Sequence, residues 1–336
     1  MSDVYILAIE SSCDETCCSI VKNGREVLSD VISSQIEIHK RFGGVVPEIA
    51  SRNHTLAVQN VVKEAVEKSG VPLSRIDAVA VTYGAGLVGA LLAGLSFAKA
   101  LAYSLGVPLI PVNHIRGHIA ANYIQDKELQ PPFLCLVASG GHTAVLKIDS
   151  YLTHEYLGGT FDDACGEAFD KVAKTLGLPY PGGPSVSKLA LLGKTNIKFP
   201  KMLREDKGYN FSYSGLKTAV INYIHTKEQK GEEVNKADVA ASFQKAAIDV
   251  LVEKTMKAAK DNALTTVAIA GGVGANEYLR QRMKKYADKN GFKLVLPDKI
   301  ICTDNGAMIG AEGYIQYVYG KNCGDLTVNA CPSLKL

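Results

Sequence analysis

The sequence predicts an α/β protein of two duplicated lobes with a ligand cleft between them, and three observations carry that reading. First, a strand, a small-residue turn, two more strands and a helix occur twice. One copy opens near residue 4 (strands over 4–9, 17–22 and 25–32) and the other near residue 133 (strands over 133–137, 144–148 and 152–158, helix over 162–176). Second, 336 residues with 47% hydrophobic and 21% charged side chains can fill two cores or one large α/β core. Third, the 31 glycines cluster at the ends of apolar runs, where a backbone turns tightly against a ligand. Two such lobes would bring both turns to one shared cleft.

In the first copy, the apolar run 4–9 ends at Glu10 and a polar turn follows, Ser11-Ser12-Cys13-Asp14-Glu15-Thr16. Such a turn can receive an anion on its backbone N–H groups, and it also suits an ordinary hairpin. Asn23-Gly24 reads as a hairpin turn. Apolar residues at helical spacing over 48–68 predict a helix stopped by Gly70-Val71-Pro72, with His54 read as solvated or capping. The longest uncharged run, 79–98, holds Gly84, Gly86, Gly89 and Gly94. It reads as strand, turn and buried small-residue helix rather than a membrane span. Asp3 and Glu10 flank the first apolar run, so no signal peptide is expected there.

The second copy is richer in glycine, at Ser139-Gly140-Gly141-His142-Thr143, and Asp163, Glu167 and Asp170 recur on the helix behind it. Gly182-Gly183-Pro184 reads as a rigid turn. Residues 194–217 mix cations with aromatics (Lys194, Lys198, Phe199, Lys201, Arg204, Lys207, Tyr209, Phe211, Tyr213, Lys217), a composition that suits RNA and equally a mixed-charge surface loop. A strand over 266–270 runs into Gly271-Gly272-Val273-Gly274-Ala275-Asn276 and a helix over 277–286. That order suits nucleotide binding at a helix N-terminus, but the spacing matches neither the dinucleotide fingerprint nor a P-loop.

His114 and His118 lie four residues apart after the strand-like run 107–112, so in a helix they share one face and can hold one metal ion. Zinc proteases share the spacing but place Glu directly after the first His; here Ile115 stands there. Asp304, at a helix start, reads as an N-cap and as a source of a third ligand. Net charge is +3, which neither demands nor excludes nucleic acid. The cysteines at 13, 17, 18, 135, 165, 302, 323 and 331 form no Cys-x-x-Cys pair and read as reduced thiols of a cytoplasmic protein.

Taken together, Ile9-Glu10-Ser11-Ser12-Cys13-Asp14-Glu15-Thr16, residues 113–118, Ser139-Gly140-Gly141-His142-Thr143, Gly182-Gly183-Pro184, Phe211-Ser212-Tyr213-Ser214-Gly215-Leu216-Lys217, residues 271–276 and Thr303-Asp304-Asn305 resemble, in order and over almost the whole chain, the bacterial tRNA N6-adenosine threonylcarbamoyltransferases (TsaD family, formerly called O-sialoglycoprotein endopeptidases). The resemblance implies an actin-like ATPase fold of the ASKHA superfamily. It implies an N-terminal lobe over 1–130 and a C-terminal lobe over 131–336 whose last helix packs back on the first. The implied activity is transfer of a threonylcarbamoyl group from threonylcarbamoyl-AMP to N6 of the adenosine beside the anticodon. It implies Fe(2+) or Zn(2+) on His114, His118 and Asp304. Adenylate contacts would come from Val137, Ala138, Ser139, Gly140, Gly141, Asp170, Gly183 and Asn276, and Asp14 is the candidate catalytic carboxylate. The implied partners are tRNA, a shortened TsaB-like paralogue bound through the N-terminal lobe, and a small TsaE-like ATPase, with no membrane. Val137 stands where archaeal relatives place a tyrosine ligand, so three protein ligands are expected. Ser187 stands where some bacterial relatives have Asp, and Ala85 where proline is common. An actin-fold kinase, a nucleotide-driven binding module and a metalloprotease are the competing classes.

Overall fold

The computed structural model describes residues 3–203, 208–320 and 325–336; Arg204, Lys207 and Cys323 lie outside them. The first strand, β1 (Tyr5–Glu10), is apolar on both faces because both are covered. β2 (Glu15–Lys22) and β3 (Glu26–Ser34) follow as an antiparallel meander, turned at Asn23 and Gly24, both at positive φ. A short α1 (Ile36–His39) leads to α2 (Pro47–Ser69), which starts on a proline and stops at Gly70 in the left-handed conformation. β4 (Ala78–Gly84), α3 (Val88–Leu105) and β5 (Leu109–Asn113) form a parallel crossover, and α4 (His114–Gln125) follows at once.

The second set repeats the order: β6 (Phe133–Ala138), β7 (Thr143–Ile148), β8 (His154–Gly159), α5 (Cys165–Thr175), α6 (Gly182–Ala190), α7 (Ser214–Gln229), α8 (Lys236–Asp261), β9 (Thr266–Ala270), α9 (Glu277–Asn290) and β10 (Lys293–Val295). The chain closes with α10 (Lys299–Cys302) and α11 (Gly306–Tyr319). The sheet orders are β3-β2-β1-β4-β5 and β8-β7-β6-β9-β10. In each, an antiparallel three-strand meander is extended by two parallel strands from its first strand. The duplication expected from the sequence is therefore present strand for strand.

The chain divides into two compact units. Unit 1 comprises Met1–Gln130, Ser150–Leu152 and Pro297–Leu336; unit 2 comprises Pro131–Asp149 and Thr153–Leu296. The last helix packs on the first sheet as the resemblance implied, and residues 297–336, Asp304 among them, group with unit 1 rather than with the expected lobe 131–336. The cause is the packing of α11 on the first sheet. Met308 and Ile309 join Ile6, Ala8, Ala78, Ala80, Ile110 and Val112 in one core on one face of that sheet. The alternate residues Leu7, Ile9, Val79 and Val81 face a second core supplied by α2 and α3. By length and composition α3 could cross a membrane; in unit 1 its Leu95, Ala98 and Ala102 belong to that second core.

Unit 2 is filled from one large cluster that includes Phe169, Phe211, Tyr213 and Phe243. Phe211 and Tyr213 are fully buried. Phe211 and Tyr213 are thus core, not surface, because burying two large rings outweighs any use of them as exposed platforms, while Phe199 and Tyr209 stay half-buried at its edge. Gly182-Gly183-Pro184 is the first turn of α6 rather than a free turn.

Candidate metal centre

His114 and His118 share the first turns of α4, and the start of that helix is fixed by Asn113. The Asn113 side chain accepts from the N–H of Ile115 (2.8 Å) and of Arg116 (3.3 Å), and its Nδ2 donates to the Lys335 carbonyl at 3.1 Å. One side chain therefore caps the helix and ties it to the C-terminal tail. The imidazole rings lie edge to face, 4.6 Å apart. Asn113→Ala is expected to cost about 1 kcal/mol of stability through loss of the cap, and to lower metal affinity as the helix start loosens. Thermal melts with and without metal read the two effects separately.

Asp304 arrives on the link between α10 and α11. Its Oδ1 lies 3.6 Å from His114 Nε2 and 3.3 Å from His118 Nε2. It is not the N-cap expected from the sequence. Asn305 caps α11, accepting from the Met308 N–H at 2.8 Å, while its Nδ2 donates to the carbonyls of Ile301 and Thr303. With the capping duty on Asn305, the Asp304 carboxylate is left to face the two imidazoles. Asp30 Oδ1 accepts from the Gly306 N–H at 3.0 Å and steadies the same helix start.

Behind His114 stands Glu10, fully buried at the end of β1. Its Oε2 is 3.2 Å from His114 Nδ1 and also accepts from the Thr82 hydroxyl, and its Oε1 accepts from the Ser12 N–H at 2.5 Å. Ser12 Oγ is 3.1 Å from the same His114 nitrogen. An ionised carboxylate only accepts, so Nδ1 carries a proton, and Nε2, on the Asp304 side, is the nitrogen left to bind a metal once its own proton is displaced. This is how a second layer orients a metal-binding histidine. Nothing in the spacing of the sequence motifs marks Glu10 for this role. Its signal was a carboxylate ending an otherwise apolar strand.

The charges at this site call for a cation. Burial works against ionised His114, yet the Glu10 and Asp304 carboxylates outweigh it and raise the imidazole to about 9. Burial likewise opposes charge on Asp304, and His114 and His118 draw it down to about 2. Glu10 also ends below the ordinary carboxylate range, burial being outweighed by His114. The ligand atoms of His114, His118 and Asp304 lie within 4.8 Å of one another. Two nitrogens and one oxygen around one point suit a divalent transition metal held by three protein ligands.

Asp14 lies in the turn between β1 and β2, 6% exposed. His54 clasps that turn: Nδ1 lies 2.7 Å from Thr16 Oγ1 and Nε2 lies 2.9 Å from the Cys13 carbonyl. The carbonyl can only accept, so Nε2 donates and Nδ1 accepts from the hydroxyl. His54 is therefore buried rather than solvated. The sign was available, since it lies on the apolar stripe of α2 with Ala50 and Val58.

The other candidates gather in unit 2. Val137 and Ala138 are buried strand residues of β6, and Ser139 starts a turn in which its N–H donates to the His142 carbonyl at 2.8 Å. Gly140 and Gly141 have open space where a side chain would stand. Gly271, at φ 90°, comes so close to Ala138 that a Cβ would lie 2.5 Å from its carbonyl oxygen. Asn276 caps α9 and donates to Ser187 Oγ (2.9 Å) and Gln244 Oε1 (3.0 Å). Asp170 accepts from the Gly182 N–H at 2.7 Å, beside Gly183. Backbone contact and side-chain bonds thus link the β6 turn with the β9 turn, Asn276 with α6, and α6 with Asp170.

Comparison with known proteins gives one consistent result. The family model described as TsaD, tRNA N6-adenosine threonylcarbamoyltransferase, matches residues 26–311. A protein of that name from Clostridium perfringens is 56% identical over 100% of this chain and 99% of its own length, and one from Clostridioides difficile is 53% identical with the same coverage. Among solved structures, T. kodakarensis HypF is similar with a TM-score of 0.64 at 17% identity, over 95% of this chain and 48% of that one. Component A of the Acidaminococcus fermentans (R)-2-hydroxyglutaryl-CoA dehydratase is similar at 0.52 and 15%, over 95% and 98%. Those two likenesses speak to the fold alone.

Proposed function

Because the chain belongs to the tRNA N6-adenosine threonylcarbamoyltransferase family, we propose that it moves the threonylcarbamoyl group of threonylcarbamoyl-AMP onto N6 of the adenosine beside the anticodon, in tRNAs that read codons beginning with adenine, and releases AMP. The observation that carries this reading is the three-ligand cluster of His114, His118 and Asp304, oriented from behind by Glu10. A mixed anhydride is already activated, so the chemistry needed is positioning and charge stabilisation rather than a protein nucleophile. His114, His118 and Asp304 would hold one ion, Fe(2+) or Zn(2+), which supplies Lewis acidity toward acyl-group oxygens when bound.

The remaining work falls to the chain's own groups. The adenylate is held in unit 2 by Val137, Ala138, Ser139, Gly140, Gly141, Asp170, Gly183 and Asn276, with the open turn glycines offering backbone N–H groups to the phosphate. N6 attacks the carbamoyl carbon, the bond from that carbon to the phosphate oxygen breaks, and AMP leaves with the electron pair. Asp14 either takes the N6 proton or orients the adenine. We place the enzyme in the cytoplasm, with a TsaB-like paralogue on the N-terminal lobe and a TsaE-like ATPase as helpers.

The test is a transfer assay with purified protein and those helpers, unmodified tRNA and labelled threonylcarbamoyl-AMP. Label is expected on tRNA and is expected to disappear with chelator or His114→Ala. Asp14→Asn should slow transfer while adenylate binding holds; transfer at the wild-type rate would remove Asp14 from the mechanism.

A further inference from the structure

The positive charge of this protein sits in one unit. Unit 2 holds 23 Lys and Arg against 17 Asp and Glu, a balance of +6, and the rest of the chain holds 14 against 17, a balance of −3. Within unit 2 the cations are not evenly spread. The chain after α6 lies against α8 and α9 along a groove of about 810 Å³ lined by Lys198, Phe199, Lys201, Lys245 and Arg282. The two carboxylates that line the groove are each engaged. Asp249 is bonded by Arg282 Nε at 2.7 Å and paired with Lys245, and Glu253 lies 3.7 Å from Lys201. Lys198 has no ion-pair partner among the described residues.

The groove continues along α9. Lys285 and Lys289 follow Arg282 by three and seven positions, so they share its side of the helix, and both are exposed. Neither is ion-paired among the described residues. The groove floor is partly apolar (Ile197, Phe199, Val250), and its rim carries a row of cations with no ion-pair partner among the described residues. That row suits a continuous polyanion, whose condensed counterions are released on contact.

We propose that this groove and the adjoining side of α9 are where tRNA docks, through its sugar-phosphate backbone; this rests on the reading of tRNA as substrate. The surface differs from the one expected from the sequence. Lys198, Phe199 and Lys201 of the 194–217 stretch take part, the buried Phe211 and Tyr213 do not, and Lys245, Arg282, Lys285 and Lys289 come from elsewhere in the chain. Contacts to phosphate position a nucleic acid without reading its bases, so the surface would hold the tRNA body and leave the choice of adenosine to the reaction site.

The test uses the full-length protein with its helpers, fluorescein-labelled unmodified tRNA and a potassium chloride series. The triple variant Lys198→Ala/Lys285→Ala/Lys289→Ala is compared with Lys40→Ala/Arg41→Ala/Lys127→Ala, three exposed cations of unit 1. The first triple is expected to weaken tRNA binding by about tenfold or more and to lower the slope of log affinity against log salt by about one per residue removed. It should raise KM for tRNA while kcat and KM for threonylcarbamoyl-AMP stay put. The control triple should leave all of these unchanged, and Lys→Arg at the three positions should restore binding. A groove variant that binds tRNA like the control, in a protein that transfers normally, overturns the docking surface alone. A wild-type protein that neither binds nor modifies tRNA overturns the docking surface together with the proposed reaction.

Discussion

His118→Ala is expected to lower metal affinity by on the order of a hundredfold or more and to abolish transfer with it. Altering an outer-layer partner of a metal site commonly costs ten- to a hundredfold, and His118 contributes one of the three ligand atoms grouped here among the described residues. Metal content of the purified protein and direct metal titration read this without any assay of activity. Glu10→Gln is expected to fall in the ten- to hundredfold range, since it keeps the shape behind His114 but removes the charge. Protons should compete in a set direction. Metal-free His114 holds its proton to about 9, against an ordinary 6.5, and metal must displace that proton. Apparent affinity therefore rises with pH up to about 9 and flattens beyond it. The same shift stabilises the metal-free fold below pH 6.5, and that contribution is lost as pH rises through about 9. Melting curves of chelated protein across that window should show the decline, and Glu10→Gln should blunt it. Metal affinity that is flat with pH would mean that the ion displaces no proton from His114.

Gly306→Ala is the second large effect. A Cβ at Gly306 would stand 2.6 Å from the Ser19 nitrogen and 2.7 Å from the Cys18 carbonyl carbon, both backbone atoms of β2. No side chain can swing away to make room, so α11 must shift against the sheet. Overpacking of this kind costs about 1–3 kcal/mol, which for a unit of this size is a drop of several degrees in melting temperature. The site should suffer more than the fold. Asp304 is two residues upstream, and its carboxylate is aimed by the same helix start. Thermal melts and metal titration of Gly306→Ala should therefore show a modest stability loss beside a disproportionate loss of affinity. Unchanged affinity would mean that the 303–305 link can adjust independently of α11.

The duplication was legible because each copy writes the same order of apolar runs and small-residue turns. The pair His114 and His118 was legible because helical spacing puts both on one face. Other features depend on partners distant in the chain. Whether Asp304 or Asn305 caps α11 is a choice between neighbouring side chains of similar capping ability, and it is settled by the imidazoles that face Asp304. His54 reads as polar on composition, yet its two hydrogen bonds let it occupy a core position. Phe211 and Tyr213 interleave with lysines in the sequence, and only the packing of unit 2 separates the buried rings from the exposed cations. The return of residues 297–336 to unit 1 leaves no local trace, because the apolar face of α11 would suit either sheet.

That return bears on how the molecule comes into being. Arg116, on the metal helix, bonds Glu312 of α11 at 2.6 Å across 196 positions of chain. During synthesis the whole of unit 2 emerges between those two residues. The N-terminal strands must therefore wait, with one face of their sheet bare, until α11 is released to cover it. Unit 2 is nearly continuous in the chain and has no such delay. A nascent protein halted before residue 304 should hold a protease-resistant second unit beside a first unit still open to cleavage and unable to retain metal. The newborn first sheet would then be the natural client of a chaperone, and the last helix the event that releases it.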